Sequence, residues 1–337
     1  MHYQGYFGMG WHQQAIAGKI LPRIHPLDVV AAWLTRRQKL FSRGWGDEAF
    51  LTHVADQAVF DQSLDPICVE WANESRPDRM TQRNGTFLSP LSTLPAEVRT
   101  AHVRAWIREG NDAACVVLAA SRDEGYKMRE RVFGPLVNRG VDLYLLENPF
   151  YGRRRTQSSA SLHTFSDHVL MNLASVWEAK ALLQHLLSSY GKLAVAGYSM
   201  GGHMAAITAA VCPFPVACAA LATGASAAPI YTQGLLSWSV DLRALAGGFT
   251  QETAAQEKLR VLIRAADLTR YSPPLRSDAA VLVGCARDGY VLPAEIQRLH
   301  DYWPNSTLRW LQAGHVTALI RCRHALRAAV ADATAML

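Results

Sequence analysis

Leu193-Ala194-Val195-Ala196-Gly197-Tyr198-Ser199-Met200-Gly201-Gly202-His203-Met204-Ala205-Ala206-Ile207-Thr208-Ala209-Ala210-Val211 decides how this chain is read. An apolar, strand-like run stops at a glycine, a serine follows, and an alanine-rich helical stretch begins. This is the strand, sharp turn and helix of a nucleophile elbow. A serine on so tight a turn is strained, and side chains two residues to either side would meet the adjacent strand and helix. Gly197 and Gly201 remove those side chains. The helix starting after Ser199 directs its free N–H groups toward the place where negative charge develops in acyl transfer. Ser199 is therefore the candidate nucleophile. The competing interpretation is a small-residue turn that packs a helix on a sheet.

Outward from this stretch, strand-like runs recur at 114–118, 141–146, 216–221, 280–284 and 308–311. Helical stretches are expected at 127–138, 167–190, 199–211, 293–302 and 316–334, which gives a mostly parallel sheet covered on both faces. Upstream, 86–91 and 98–106 read as two further strands joined by the turn at Leu94-Pro95. The gap between the strands ending at Leu221 and starting at Ala280 is too long for a simple crossover. It holds Tyr231, Leu235, Leu236, Trp238 and Phe249, and predicts a cap inserted at about 224–275. Residues 1–75 are expected to form a helical arm, with a helix over 26–40, laid on a main domain spanning 76–337.

Half of the 337 residues are apolar and 18% are charged, which predicts a large buried core. The formal charge of +6 is dispersed over 34 Lys and Arg, the one dense run being Arg153-Arg154-Arg155. No nucleic-acid-binding signature accompanies it, so no nucleic-acid partner is expected. A peripheral contact of that run with lipid headgroups is compatible with its charge. The six cysteines, at 68, 115, 212, 218, 285 and 322, form no C-x-x-C pair and read as free, mostly buried thiols. With no secretory-type leader at Met1 to Tyr6, a cytoplasmic location is the expectation. The window 204–221 is broken by Pro213 and Pro215, so it does not read as a membrane span.

A serine hydroxyl needs a general base, and the base needs an orienting acid. In this architecture the acid follows a late strand and the histidine follows the last one. Asp288 lies in the loop after the strand Ala280 to Gly284, and His315 follows Leu308 to Leu311 through Gln312-Ala313-Gly314. His203 lies one helical turn beyond the serine and points along the helix, while His300 and His324 fall mid-helix. Asp267 and Asp301 compete as the acid, but neither directly follows a strand. The Met200 N–H is the first expected oxyanion donor, and the second is expected from the loop after Leu118, at Ala120 or Ser121. Tyr198, Glu147, Asn148, Arg153 and Trp238 are candidate substrate-binding residues, with the structural alternative that Glu147, Asn148 and Arg153 tie their loop to its neighbours. No cofactor or metal is implied, because zinc spacing and phosphate-binding glycine loops are both missing.

Further strings carry a resemblance: Leu145-Leu146-Glu147-Asn148-Pro149-Phe150-Tyr151-Gly152-Arg153, Ser199 to Ala205, Asp288-Gly289-Tyr290-Val291 and Gly314-His315-Val316-Thr317-Ala318. Through them the chain resembles the α/β-hydrolase-domain-containing protein 18 family, from about Thr86 to the carboxyl terminus. The resemblance implies a three-layer α/β-hydrolase fold, Ser199 as nucleophile, Asp288 as acid, His315 as base, and an ester or lipid acyl substrate. Where such relatives tend to carry Ala-Gly-Thr-Gly-Asp-His, this chain has Ala119-Ala120-Ser121-Arg122-Asp123-Glu124. The leading expectation is a serine hydrolase of a carboxylic ester. An amidase or acyltransferase using the same residues, and a non-catalytic binding module on the same scaffold, are the alternatives.

Overall fold

A computed structural model describes residues 24–56, 59–72, 80–156, 162–247 and 251–337. Its strands are β1 (Glu70–Trp71), β2 (Met80–Leu88), β3 (Thr100–Arg108), β4 (Ala113–Leu118), β5 (Val141–Leu146), β6 (Lys192–Tyr198), β7 (Ala217–Leu221), β8 (Ala280–Cys285) and β9 (Thr307–Leu311). They form one sheet in the order β1-β2-β3-β5-β4-β6-β7-β8-β9. The pairings up to β3–β5 are antiparallel and the rest are parallel. Strands β4, β5, β7 and β8 are buried at every position, as mainly apolar strands covered on both faces must be.

The helices are α1 (Pro26–Thr35), α2 (Glu48–Asp56), α3 (Lys127–Phe133), α4 (Phe165–Leu186), α5 (Met200–Val211), α6 (Ala228–Thr232), α7 (Leu242–Ala246), α8 (Glu252–Ile263), α9 (Pro293–Tyr302), α10 (His315–Arg321) and α11 (Arg323–Ala335). Met171, Val176, Ala205 and Leu299 place α4, α5 and α9 in the core on one face of the sheet. Val132, Phe133, Leu326 and Val330 place α3 and α11 in the core on the other. The result is the three-layer α/β-hydrolase fold with its mostly parallel sheet. No helix among the described residues is long and apolar enough to cross a membrane.

Several elements end differently from their sequence expectation. The helix expected over 127–138 stops at Phe133 and tightens into a 3₁₀ segment, Gly134–Arg139, because Pro135 carries no N–H for an α-helical bond. The terminal helix expected over 316–334 is two helices that meet at Cys322, whose ψ of 21° leaves the helical range. The second strand starts at Thr100 rather than Val98, since Ala96–Val98 closes a 3₁₀ turn behind Pro95. Among the cysteines, 115, 212, 218 and 285 are buried, but Cys68 is exposed.

The arm is not purely helical: β1, within 1–75, pairs with β2 through Glu70 opposite Thr86. Residues 1–23 of the arm and Phe249 of the cap lie outside the described residues. Leu40, Phe41 and Trp45 from the arm enter one apolar cluster with Tyr231, Val240 and Leu259 from the cap. Leu40 also forms a bridge with Val240. Arm and cap thus make a joint cover over the end of the sheet where β6 meets α5.

Candidate active site

Ser199 lies between β6 and α5 with φ at +56° and ψ at −122°, a strained backbone for a residue with a side chain. The flanking glycines permit it. A Cβ on Gly197 would stand 2.2 Å from the Gly201 carbonyl oxygen, and one on Gly201 would stand 2.5 Å from that of Leu118. Any larger residue would push the helix off the strand and move the hydroxyl.

Three distant side chains meet at this turn. His315 Nε2 is 2.9 Å from Ser199 Oγ, and His315 Nδ1 is 2.7 Å from Asp288 Oδ2. With Asp288 accepting from Nδ1–H, Nε2 is left to accept the serine proton. Asp288 is itself fixed, its Oδ1 accepting the N–H groups of Tyr290 at 2.8 Å and Val291 at 2.9 Å. The His315 ring is flanked by Tyr198 and Tyr290, with centroids at 5.2 and 5.1 Å. Burial works against the charged imidazole, but the Asp288 carboxylate, through charge and hydrogen bond, and then the Asp28 charge outweigh it. The His315 pKa is raised above its ordinary value.

Asp28 belongs to α1 and was not singled out by sequence reasoning. Fully buried, it accepts the backbone N–H of His315 at 2.7 Å, of Val316 at 2.9 Å and of Gly289 at 3.0 Å. It therefore caps α10 and ties the Asp288 loop to the His315 loop in one contact. Gly314 makes the approach feasible, since a Cβ there would meet His25 Cβ at 2.3 Å and Asp28 Oδ2 at 2.7 Å. A lone Asp early in an apolar helix was the available signal, and nothing local showed its partners.

The Met200 N–H begins α5 and, like every first-turn N–H, has no acceptor within its own helix. In the loop after β4, Ser121 lines the cavity beside Ser199 while Ala120 does not. Arg122, at φ +64°, gives its N–H to the Tyr151 hydroxyl at 3.2 Å. Buried Arg129, also missed from sequence, shapes this loop through Asp123 at 2.8 Å, the Gly125 carbonyl at 2.5 Å and the Val117 carbonyl at 3.1 Å.

The Glu147 to Arg153 segment backs that loop rather than lining the cavity. Asn148 Nδ2 donates to the Ala119 carbonyl at 3.4 Å, and Glu147 Oε2 accepts the Arg153 N–H at 3.2 Å. A Cβ on Gly152 would stand 2.0 Å from Glu147 Oε1, so the segment closes only around glycine. Glu147 and Asn148 act as loop braces rather than cavity walls, Asn148 Oδ1 also accepting from Ser175 Oγ at 3.3 Å, while the Arg153 side chain is exposed and does not line the cavity. Tyr198 is a brace likewise: it lies under the histidine, its hydroxyl donating to the His315 carbonyl at 2.5 Å. Trp238 packs with Ile24, Ala32 and Leu235 and does not line the cavity beside Ser199. The Arg153 to Arg155 run is not a free cationic patch either, since Arg154 is buried in an ion pair with Glu178 at 2.7 Å and Arg155 pairs with Glu124.

Beside Ser199 a cavity of about 70 Å³ runs under the cap, lined mainly by apolar groups such as Val169, Met204, Ile230, Leu236 and Leu262. One polar corner interrupts it. His168 Nε2 lies 2.8 Å from the Tyr231 hydroxyl and 3.0 Å from Asn172 Nδ2. Asn172 Oδ1 is buried there with no hydrogen-bond partner among the described residues. Burial pushes the His168 pKa down to about 4. His203 stays away from the serine hydroxyl, its ring nitrogens 3.0 Å from the Gly224 carbonyl and 2.7 Å from that of Ala266. It ties α5 to both roots of the cap.

Comparison with known proteins agrees with this architecture. The sequence matches the family described as alpha/beta hydrolase domain containing 18 over residues 38–265 and 248–335. Acetyl xylan esterase from Paenibacillus sp. R4 is a structural neighbour with a TM-score of 0.52 and 13% identity, over 86% of this chain and 98% of that one. Acetyl Xylan Esterase 1 from Thermoanaerobacterium sp. JW/SL YS485 gives a TM-score of 0.54 at 10% identity, over 87% and 98%. At such identities the likeness concerns the fold.

Proposed function

Because the chain belongs to the alpha/beta hydrolase domain containing 18 family, we propose that it is a serine hydrolase that cleaves a carboxylic ester through an acyl-enzyme. The observation that carries the reading is the hydrogen-bonded relay from Ser199 Oγ to His315 and on to Asp288. His315 takes the hydroxyl proton as Oγ attacks the carbonyl carbon. The tetrahedral oxyanion forms against the N–H groups of Met200 and Ser121. His315 then returns the proton to the departing alkoxide, and water, activated by the same imidazole, releases the acid.

The acyl side of the substrate occupies the cavity under the cap. An apolar cavity of about 150 Å³ suffices for benzene, so about 70 Å³ holds only the first few carbons of an acyl chain. A longer lipid chain requires the cap to part. The unpartnered Asn172 oxygen favours an acyl group bearing a hydrogen-bond donor in that corner.

Fluorophosphonate labelling of the native chain against Ser199→Ala tests the reading. Labelling confined to the native chain, with p-nitrophenyl ester hydrolysis reduced roughly 10⁴- to 10⁶-fold in Ser199→Ala, is the expected result. Absence of labelling and turnover in the folded native protein would sink the proposal and leave a binding module on this scaffold.

A further inference from the structure

We propose that α1 is a docking helix for a bilayer containing anionic phospholipid, its inner face gripping the loops that carry Asp288 and His315 while its outer face enters the lipid. The inference goes beyond the proposed hydrolysis and does not depend on it. One side of α1 is fully engaged, with Asp28 and Ala32 buried. The other side presents Leu27, Val30, Trp33 and Leu34, exposed by 42, 49, 54 and 64%. These positions, three and four residues apart, form a single outward stripe of large apolar groups. Water contact with such a stripe is unfavourable, and its Leu, Val and Trp content matches helices that lie in a membrane interface.

Charge selects the occupant. From Met1 to Gly46 the chain carries Lys19, Arg23, Arg36, Arg37, Lys39 and Arg43 against one acid, Asp28. Asp28 is buried and already accepts three backbone N–H groups, so it does not offset the exposed Arg37, Lys39 and Arg43. Arg37, Lys39 and Arg43 are exposed, and the Arg36 guanidinium lies 4.1 Å from the Trp33 ring centroid. Lys39 shares a groove with Asp241 and Glu252, so the exposed Arg37 and Arg43 carry the complementarity of this apolar stripe to acyl chains beneath anionic headgroups. Such cations would repel one another across a symmetric contact with a second copy. A ten-residue helix also offers a face of only about 15 by 10 Å, far below the roughly 800 Å² per partner of a stable interface.

The test is co-sedimentation of the full chain with vesicles of phosphatidylcholine alone and of phosphatidylcholine mixed with phosphatidylglycerol. The native protein should bind the mixed vesicles, and binding should weaken severalfold between about 0.05 and about 0.5 M salt. Val30→Ser/Leu34→Ser should lower partitioning at least about tenfold with an unchanged thermal unfolding midpoint. Arg37→Glu, which leaves the apolar stripe intact, should weaken binding to the mixed vesicles alone and serves if the double variant misfolds. Native protein remaining in the supernatant overturns the proposal. So does a folded double variant that binds as the native chain does, which would move docking to residues 1–23 or elsewhere. A concentration-dependent dimer abolished by the double variant, without vesicle binding, overturns it in favour of a second copy. Fluorophosphonate labelling is scored separately, so loss of the hydrolase reading leaves this result interpretable.

Discussion

Asp28 Oδ2 accepts the backbone N–H of His315 at 2.7 Å, joining residues 287 apart in sequence. The same carboxylate holds Val316 and Gly289, so a helix ahead of the whole sheet sets the relative position of the base and its acid. The candidate site is therefore closed by the beginning of the described chain as much as by its end.

Asp28→Asn should lower kcat/KM and move its pH dependence. The neutral imidazole is the base, so activity rises as His315 loses its proton, with a midpoint above the ordinary value of 6.5. Removing the nearby negative charge disfavours the imidazolium, so the midpoint should fall. Stability should also drop by about 1–3 kcal/mol, because Asp28 accepts at both carboxylate oxygens whereas asparagine has one acceptor oxygen and turns an NH2 donor toward a backbone N–H. A pH–rate profile separates the two effects: lost stability with an unmoved midpoint would restrict Asp28 to a structural part.

Short-chain esters should be the best substrates in solution. The cavity volume predicts that kcat/KM peaks among acetyl to butyryl esters and declines for long chains. Ile230→Ala widens the wall and should shift the optimum toward longer acyl groups, read from a p-nitrophenyl ester series. A native preference for palmitoyl esters would contradict the closed cap.

Glu178→Ala should destabilise the fold by about 3–5 kcal/mol, since it strands the buried Arg154 guanidinium. Arg154→Met/Glu178→Leu should recover much of the loss, because the pair gains by mutual attraction little more than burial takes away. Denaturant unfolding of the single and double variants measures this. The Val98 and Glu147 carbonyls, which now accept from Arg154, set the limit of recovery.

Acid should loosen the cap. The His168 pKa is about 4 in the folded chain against 6.5 for an ordinary histidine, so between these values the unfolded state binds more protons. Its contribution, up to roughly 3 kcal/mol, is complete above pH 6.5 and is lost as pH falls toward 4. Burial also lowers the His203 pKa, and its titration works in the same direction. His315 is raised, so its stabilising share is present below the unfolded value and is lost as pH rises through the folded one. In His168→Gln, stability should vary less between pH 4 and 6.5, measured by thermal unfolding.

Ser199, Asp288 and His315 were legible in the sequence because each stands just past a strand, and strands announce themselves by short apolar runs. The same holds for the parallel sheet and for the glycines at 197 and 201, whose need follows from local backbone geometry. Tyr198, Glu147, Asn148, Arg153 and Trp238 were misplaced for a complementary reason. Nearness to the site along the chain does not tell which way a side chain turns: Tyr198, Glu147 and Asn148 bond to backbone, Arg153 is exposed, and Trp238 packs in an apolar cluster outside the cavity. Asp28, Arg129 and the cavity walls were decided only by tertiary structure. A carboxylate that caps a helix 287 residues away, or a guanidinium that gathers the carbonyls of two strands and a loop, leaves no periodicity to read. Sequence fixes what depends on neighbours a few residues apart; partners brought together by packing exist only once the chain has folded.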